Sequence, residues 1–471
     1  MTIKNANNII KDNYAEYIKY TTEFRNYPSI IDGCKPSHRR CIHQIYTECP
    51  KHFVKSATAI GAVVKAHPHP SSIYSTLVPL TQKDSPFPIF DGQGNFGSTI
   101  PQSEPAAERY TEIKISDLSS KIFESFSNFV DTVEGDLNNI EPQALATFLP
   151  LSLIHGTYSI PVGMSTVDTP ALNALDLCDY AIEVLKSGDI NTVPDVFIRP
   201  NLGNVQIKSS RKDWKSMLMN GYGKVQIAPK INIIDSKKLE IVALPESKSI
   251  DHINKILENE ILRDVIDVID ETTTTLNIIV EIRPHKQVKI DDLAKRLTSK
   301  LTVNKNYRFI YSDISGAAVH CGVSTNMRYC LEYLIKCAIR WAEKSVSDLQ
   351  YKLSILEVLE QLRNDEEALQ TLVKSTKASA VNFLIDKYNI NKEQANSVLS
   401  KPISYLTSEH SSELREIKTE LKQFKKIKDD IYTYLVNKYT ELKREITKTI
   451  MKNRVTTTFT RDKKLSNLIV M

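Results

Sequence analysis

Positive charge is concentrated in one short run near the N-terminus, Lys35-Pro-Ser-His-Arg-Arg40. Arg25 lies upstream of it, and Lys55, Lys65, His67 and His69 follow. Cations clustered in this way can neutralise several phosphates. A solvated basic face is the competing reading, and the cluster by itself does not displace it. His67 and His69 alternate with prolines, and imidazoles ligate metals. No cysteine or carboxylate set nearby completes a zinc site, which leaves phosphate contact or a structural role. In Ala106-Ala-Glu-Arg-Tyr-Thr-Glu-Ile113 a guanidinium and a phenol are neighbours, Arg109 and Tyr110. The chain has 20 tyrosines, and this segment alone does not set one of them apart.

Other patterns invite a chemistry that their surroundings refuse. Gly92-x-Gly94-x-x-Gly97 has the spacing of a dinucleotide fingerprint. That fingerprint works only where a strand feeds the glycines and a helix N-terminus follows to hold the pyrophosphate. Here Ser98-Thr-Ile-Pro-Gln-Ser-Glu-Pro105 follows, and its two prolines oppose a long helix. Glu134-Gly-Asp136 resembles the acidic end of a metal-binding strand, but no D-x-D pair follows on a suitable strand, so it reads as a polar turn. Gly223-Lys-Val lacks the first glycine and the hydroxyl of a P-loop, so no ATP site is expected in this chain. The seven cysteines (Cys34, Cys41, Cys49, Cys178, Cys321, Cys330, Cys337) contain no C-x-x-C pair, which argues against a disulfide framework and for a reducing compartment.

The elements that must position these residues follow from length and pattern. A chain of 471 residues exceeds one ordinary core, and 41% hydrophobic with 25% charged residues is a folded composition. The net charge of +5 is too small to identify a partner. No apolar run reaches the ~20 residues of a membrane span, and the N-terminus lacks the pattern of a secretory signal, so no membrane partner is expected. Residues 1–150 mix short helical segments with Pro-rich turns. Residues 151–325 alternate strand-like runs (Val205-Gln-Ile-Lys, Lys224-Val-Gln-Ile, Leu239 to Leu244, Leu276 to Ile282) with amphipathic segments, an α+β pattern. From about 326 the pattern is helical. Cys330, Leu334, Cys337 and Trp341, then Val346, Leu349, Leu353 and Leu356, form one seam; Leu414, Ile417, Leu421 and Phe424, resuming at Ile431, Leu435 and Leu442, form a second. Between them Asn391 and Gln394 read as an N-cap pair and Pro402 as a break. Two long antiparallel helices with a small globule at their tip satisfy this layout, and so does an ordinary helical bundle.

In order along the chain, Asp32-Gly-Cys-Lys-Pro-Ser-His-Arg-Arg40, His67-Pro-His69, Asp91-Gly-Gln-Gly-Asn-Phe-Gly-Ser98, Ala106 to Ile113 and Ile160-Pro-Val-Gly-Met164 resemble the breakage–reunion (A) subunit of type IIA DNA topoisomerases, that of gyrase and topoisomerase IV. Gly223-Lys-Val-Gln-Ile and Asn391 to Leu399 resemble it more loosely, so the likeness spans most of the chain. It implies an α+β multidomain fold: a winged-helix DNA-cleavage domain over 1–150, an α+β tower over 151–325, a long antiparallel coiled-coil arm over 326–450 with a small helical dimerisation gate near 365–410, and a basic tail over 451–471. Tyr110 takes the place of the nucleophile that becomes linked to a DNA 5′-phosphate, with Arg109 beside it. Arg25, Lys35, His38, Arg39, Arg40, His67 and His69 take the places of DNA contacts, and Ile160 that of the wedge between base steps.

The same resemblance implies an ATP-dependent type II enzyme that makes a transient double-strand break, passes a second duplex and reseals. The expected partners are double-stranded DNA, a second copy through the gate, and a B-type subunit in an A2B2 assembly. Mg²⁺ and ATP are expected on that B-type partner, with no metal ligand in this chain. The chain stops soon after the helical arm, a compact form like that of bacteriophage enzymes. The expectation is therefore relaxation and decatenation without introduction of supercoils, in the cytoplasm of a bacterial or phage-infected cell and associated with DNA. The residue types fit the chemistry. A free phenol is ionised in only about one molecule in a thousand at pH 7, so attack on phosphorus needs positive charge nearby. Arginine forks onto phosphate oxygens as lysine cannot. An apolar wedge costs a few kcal/mol of unstacking, offset by the contacts of a bent duplex.

Overall fold

The computed structural model describes residues 6–99, 103–123, 126–245, 250–261, 266–272, 276–284, 286–402, 405, 411–450 and 458–459. The tail expected over 451–471 lies outside them except for Thr458–Phe459, which pairs in parallel with Gln206–Ile207. Among the described residues no helix is long and apolar enough to cross a membrane.

Near the N-terminus, α1 (Ala6–Thr21) leads through a π-helical turn into α2 (Pro36–Glu48), followed by β1 (Val54–Lys55), α3 (Ser56–Val64), α4 (Ile73–Thr81), β2 (Phe90–Gln93) and β3 (Glu112–Ile115). Pro36 suits the first turn of α2 because the N–H it lacks would have no partner there. α2, α3 and α4 pack on one another, and the strands form an antiparallel sheet in the order β1-β3-β2. β2 and β3 are antiparallel neighbours, so the strand that enters the glycine pattern returns as a sheet partner. Gly97 adopts φ +71°, and a Cβ there would lie 2.4 Å from the Ser103 carbonyl oxygen. Its glycine serves a tight loop, not a pyrophosphate.

Downstream lies a six-stranded sheet ordered Thr458–Phe459, Gln206–Ile207, Tyr222–Ala228, Val303–Arg308, Val167–Thr169, Thr157–Ser159. A four-stranded antiparallel sheet (Lys230–Ile233, Lys238–Ala243, Ile278–Ile282, Ile266–Asp270) packs with helices Ile250–Ile261 and Ile290–Leu301. Alternation along Lys238–Ala243 turns Leu239 and Ile241 inward to meet Ile253, Val280, Leu293 and Leu297. The fold is α+β.

The chain divides into two compact units, 1–334 with 436–471, and 335–435. In the second, the long helix Val323–Arg363 runs antiparallel to Ser411–Asp429: Glu343 meets Lys428 at 3.6 Å and Glu357 meets Lys418 at 3.0 Å. Trp341 contacts the rings of Phe424 and Tyr434. Helices Glu366–Lys374, Lys377–Tyr388 and Lys392–Leu399 complete a core of Leu359, Leu362, Ala368, Leu384, Ala395 and Leu414. The second seam differs from a continuous helix. Ser411–Asp429 stops, and Asp430 Oδ1 accepts from Thr433 N at 3.0 Å to start Ile431–Ile450. An aspartate offers the next turn a cap, which ends one helix and begins another.

Asn391 and Gln394 form a reciprocal capping box, Asn391 Oδ1 accepting from Gln394 N at 2.8 Å and Gln394 Oε1 from Asn391 N at 2.9 Å. Asn391→Ala is expected to cost about 1 kcal/mol and Asn391→Asp far less, read from urea midpoints of the full chain.

Candidate nucleic-acid interface

Tyr110 ends a 3₁₀ turn, Glu108–Tyr110, with its side chain 66% exposed. The Arg109 guanidinium carbon stands 4.8 Å from the centre of the Tyr110 ring. The turn is short, yet its backbone is tied from below. Thr111 is fully buried; its hydroxyl donates to Ser56 Oγ at 2.8 Å and its carbonyl accepts from Ser56 N at 2.9 Å, at the start of α3. Tyr74 on α4 donates its hydroxyl to Ala106 O at 2.6 Å, on the other flank of the turn. An exposed phenol is thus held by neighbours that cannot move without breaking buried hydrogen bonds.

The basic run is not a row of free cations. Asp32 is buried and accepts Arg39 Nε at 2.7 Å and Nη2 at 3.2 Å. Arg40, 7% exposed, donates to Glu141 from Nε and Nη2 at 2.8 and 2.7 Å, and to Asp136 at 2.9 Å. In Glu134-Gly-Asp136 the glutamate ends the short strand Thr132–Glu134, and Gly135 and Asp136 enter the turn to Ile140–Pro142 with the aspartate on an arginine. Arg40 Nη1 also reaches His67 Nδ1 at 3.5 Å. Arginine has no acceptor, so His67 Nδ1 accepts and its Nε2–H faces Ser72 Oγ at 3.3 Å. Ser72 in turn donates to His69 O at 2.8 Å. Burial, then Arg40 and His69, hold the His67 imidazole below its usual pKa.

Lys35 donates to Ser159 Oγ at 2.5 Å and to Tyr158 O at 3.1 Å. Burial lowers its amine to about 8. Burial, with Lys35 and His155, pushes His38 down to about 3, so at neutral pH it carries no charge. Arg25 and His69 are exposed and joined, Nη2 to Nε2, at 3.0 Å. Ile160 follows the strand Thr157–Ser159, 68% exposed at the tip of its hairpin. Of the cations singled out from the sequence, Arg25 and Arg109 are the exposed arginines, while Lys35, Arg39 and Arg40 are occupied within the chain. Among the described residues no group of three His, Cys, Asp or Glu side chains converges as a metal site. Glu141, Ser159, Ser56 and Thr111 carry no signal in the sequence, because their partners are 55 to 124 residues away.

In comparison with known proteins, the profile of the A-subunit family of DNA gyrase/topoisomerase IV matches residues 25–448. The chain is similar to the DNA gyrase A protein of Thermotoga maritima, 27% identical over 473 residues, covering 93% of this chain and 55% of that protein. It is similar to the DNA gyrase A protein of Staphylococcus epidermidis, 24% identical with 91% and 50% covered. It also resembles the DNA topoisomerase 4 A protein of Borreliella burgdorferi, 27% identical with 71% and 49% covered. The chain spans about half the length of the curated relatives it matches.

Two outcomes follow from this geometry. Arg40→Ala leaves two carboxylates without their partner and is expected to cost about 3–5 kcal/mol of stability, measured by urea unfolding without DNA. For His38, the folded value lies below the unfolded one. The unfolded chain therefore binds the extra proton between about pH 3 and 6.5, and the stabilisation, complete above that window, is lost as pH falls through it. His38→Gln should flatten the pH dependence of stability there by up to about 1.4 kcal/mol per pH unit.

Proposed function

The chain belongs to the A-subunit family of DNA gyrase/topoisomerase IV, and from that premise we propose that it is the DNA-cleaving and resealing subunit of a type II DNA topoisomerase. The observation that carries the reading is the Arg109–Tyr110 turn, where an exposed phenol lies under a guanidinium on a backbone anchored to α3. In this reading residues 1–150 are the winged-helix cleavage domain, 151–325 the tower, 326–450 the arm with its dimerisation gate near 365–410, and 451–471 a basic tail.

Tyr110 Oη gives up its proton, attacks a DNA phosphorus and displaces the O3′ oxygen, which takes up a proton. The products are a 5′-phosphotyrosine and a free 3′-hydroxyl. Arg109 is placed to favour the phenolate and to fork onto the phosphate oxygens that gain charge in the transition state. One phosphodiester replaces another, so resealing is the same step reversed. Each chain carries one such tyrosine, so cutting both strands requires two copies, and Arg25 and His69 are placed to contact flanking phosphates. Ile160 is the wedge that opens a base step and bends the duplex. Mg²⁺ and ATP are assigned, as in the family, to a B-type partner in an A2B2 assembly. ATP binding and hydrolysis on that partner drive strand passage, and with it relaxation and decatenation, in a cytoplasmic, DNA-associated enzyme.

Tyr110→Phe is expected to abolish covalent attachment of DNA while leaving affinity within about two-fold, because affinity arises from the spread of phosphate contacts. The check is incubation with the B-type partner, Mg²⁺ and supercoiled DNA, followed by detergent. A detergent-stable adduct with the Phe variant would place the nucleophile elsewhere; none with the wild type would leave a DNA-binding protein without cleavage.

A further inference from the structure

A wedge can push into a base stack only if the hairpin that carries it does not yield. The Ile160 hairpin has little of its own to resist with. Three residue pairs join Thr157–Ser159 to Val167–Thr169, and the tip exposes Ile160, Val162 and Met164. The hairpin is the edge of the six-stranded sheet, joined to Val303–Arg308 by one residue pair, Arg308 with Asp168, and two strands of this size are marginal by themselves in water. Its support comes from outside. Tyr27 donates its hydroxyl to Ser165 O at 3.1 Å on the return side of the tip, and Lys305 pairs with Asp168 at 3.0 Å lower down. On the outgoing side, the two residues directly before Ile160 are both held by one group, the Lys35 amine, through Ser159 Oγ and Tyr158 O.

Lys35 is the residue immediately before Pro36, the first residue of α2, so the same bonds fasten the wedge to the helix that carries Arg39 and Arg40. Bonds from an ammonium are roughly twice as strong as neutral ones, and two of its three donors are spent here. Ser159 is itself buried. The amine is part-buried, and its third donor remains beside the two bonds that hold the hairpin.

We propose that Lys35 is a positioning residue that locks the Ile160 wedge to the start of α2. This rests on the reading of Ile160 as a wedge. Part-burial of the amine, which lowers it to about 8, agrees with a group held against the protein.

The test uses the full chain carrying Tyr110→Phe, so that binding and bending are read without cleavage, on a short duplex labelled at its ends for energy transfer. Lys35→Met and Ser159→Ala are each expected to lose bending. The double variant should be no worse than Lys35→Met alone, because both substitutions break one linkage. Intact bending by Lys35→Met, with a slope of log affinity against log salt smaller by about one unit, would leave the lysine a phosphate contact alone and overturn the proposal. Full bending by Ser159→Ala would overturn it too, and that variant leaves the lysine in place should Lys35→Met fail to fold. A parent chain that binds without bending removes the wedge reading itself. That failure is distinct from a parent that bends with variants that bend equally.

Discussion

A carboxylate with no exposed surface organises the basic motif. Asp32 accepts Cys34 N at 2.9 Å and Arg39 Nη2 at 3.2 Å on one oxygen, and Arg39 Nε at 2.7 Å and Leu145 N at 2.8 Å on the other. A desolvated carboxylate costs several kcal/mol unless it is paired and fully hydrogen-bonded, so this arrangement holds only if all four donors stay in place. That requirement fixes the turn ahead of α2. Gly33 sits at φ +67°, where a Cβ would come within 2.5 Å of Ser152 N. The Asp32 carbonyl accepts Leu151 N at 2.8 Å, and the bond to Leu145 anchors the chain that returns from the strand bearing Glu141. The position of Glu141, and through it the orientation of Arg40 and His67, depends on the same carboxylate.

The arginines and lysine of the run therefore act mostly inward. Arg39 closes the Asp32 turn, Arg40 gathers the acidic hairpin and the start of α4 through His67 and Ser72, and Lys35 reaches the Ile160 hairpin. Cations fixed by protein anions cannot collapse onto one another or onto solvent ions when a polyanion approaches. They give a prearranged surface whose reorganisation is already complete. The exposed arginines, Arg25 and Arg109, the proposed phosphate contacts, stand against that rigid background.

Several features were legible because they are local. The capping box at Asn391 is a spacing of three, and the apolar stripes of the helix pair are spacings of three and four. The prolines after Gly97 were enough to reject a pyrophosphate loop, and Glu134-Gly-Asp136 read as a turn. What stayed hidden is non-local. The same run of cations is compatible with a solvated face, a phosphate cradle or a set of internal ion pairs, and only the fold brings Glu141, Asp136 and Ser159 to it. The break at Asp430 also escaped, since the apolar stripe continues on both sides of it and a cap interrupts the backbone without disturbing the side-chain period.

The turn bearing Tyr110, the proposed nucleophile, and the hairpin bearing Ile160, the proposed wedge, share one local solution to opposed demands. A nucleophile and a wedge must both stand clear of the surface, and both must be aimed. Tyr110 is 66% exposed beside Thr111 at 0%; Ile160 is 68% exposed between Ser159 at 7% and a buried Pro161. In each case the anchoring neighbour carries a polar atom bonded to a distant element, Ser56 on α3 for the one and Lys35 ahead of α2 for the other. Both lines lead to the small bundle of α2, α3 and α4. On the proposed reading, a duplex lying across that bundle meets a phenol and an aliphatic tip that are both tied back to its helices. This is the condition for bending and cleavage to act on the same stretch of DNA.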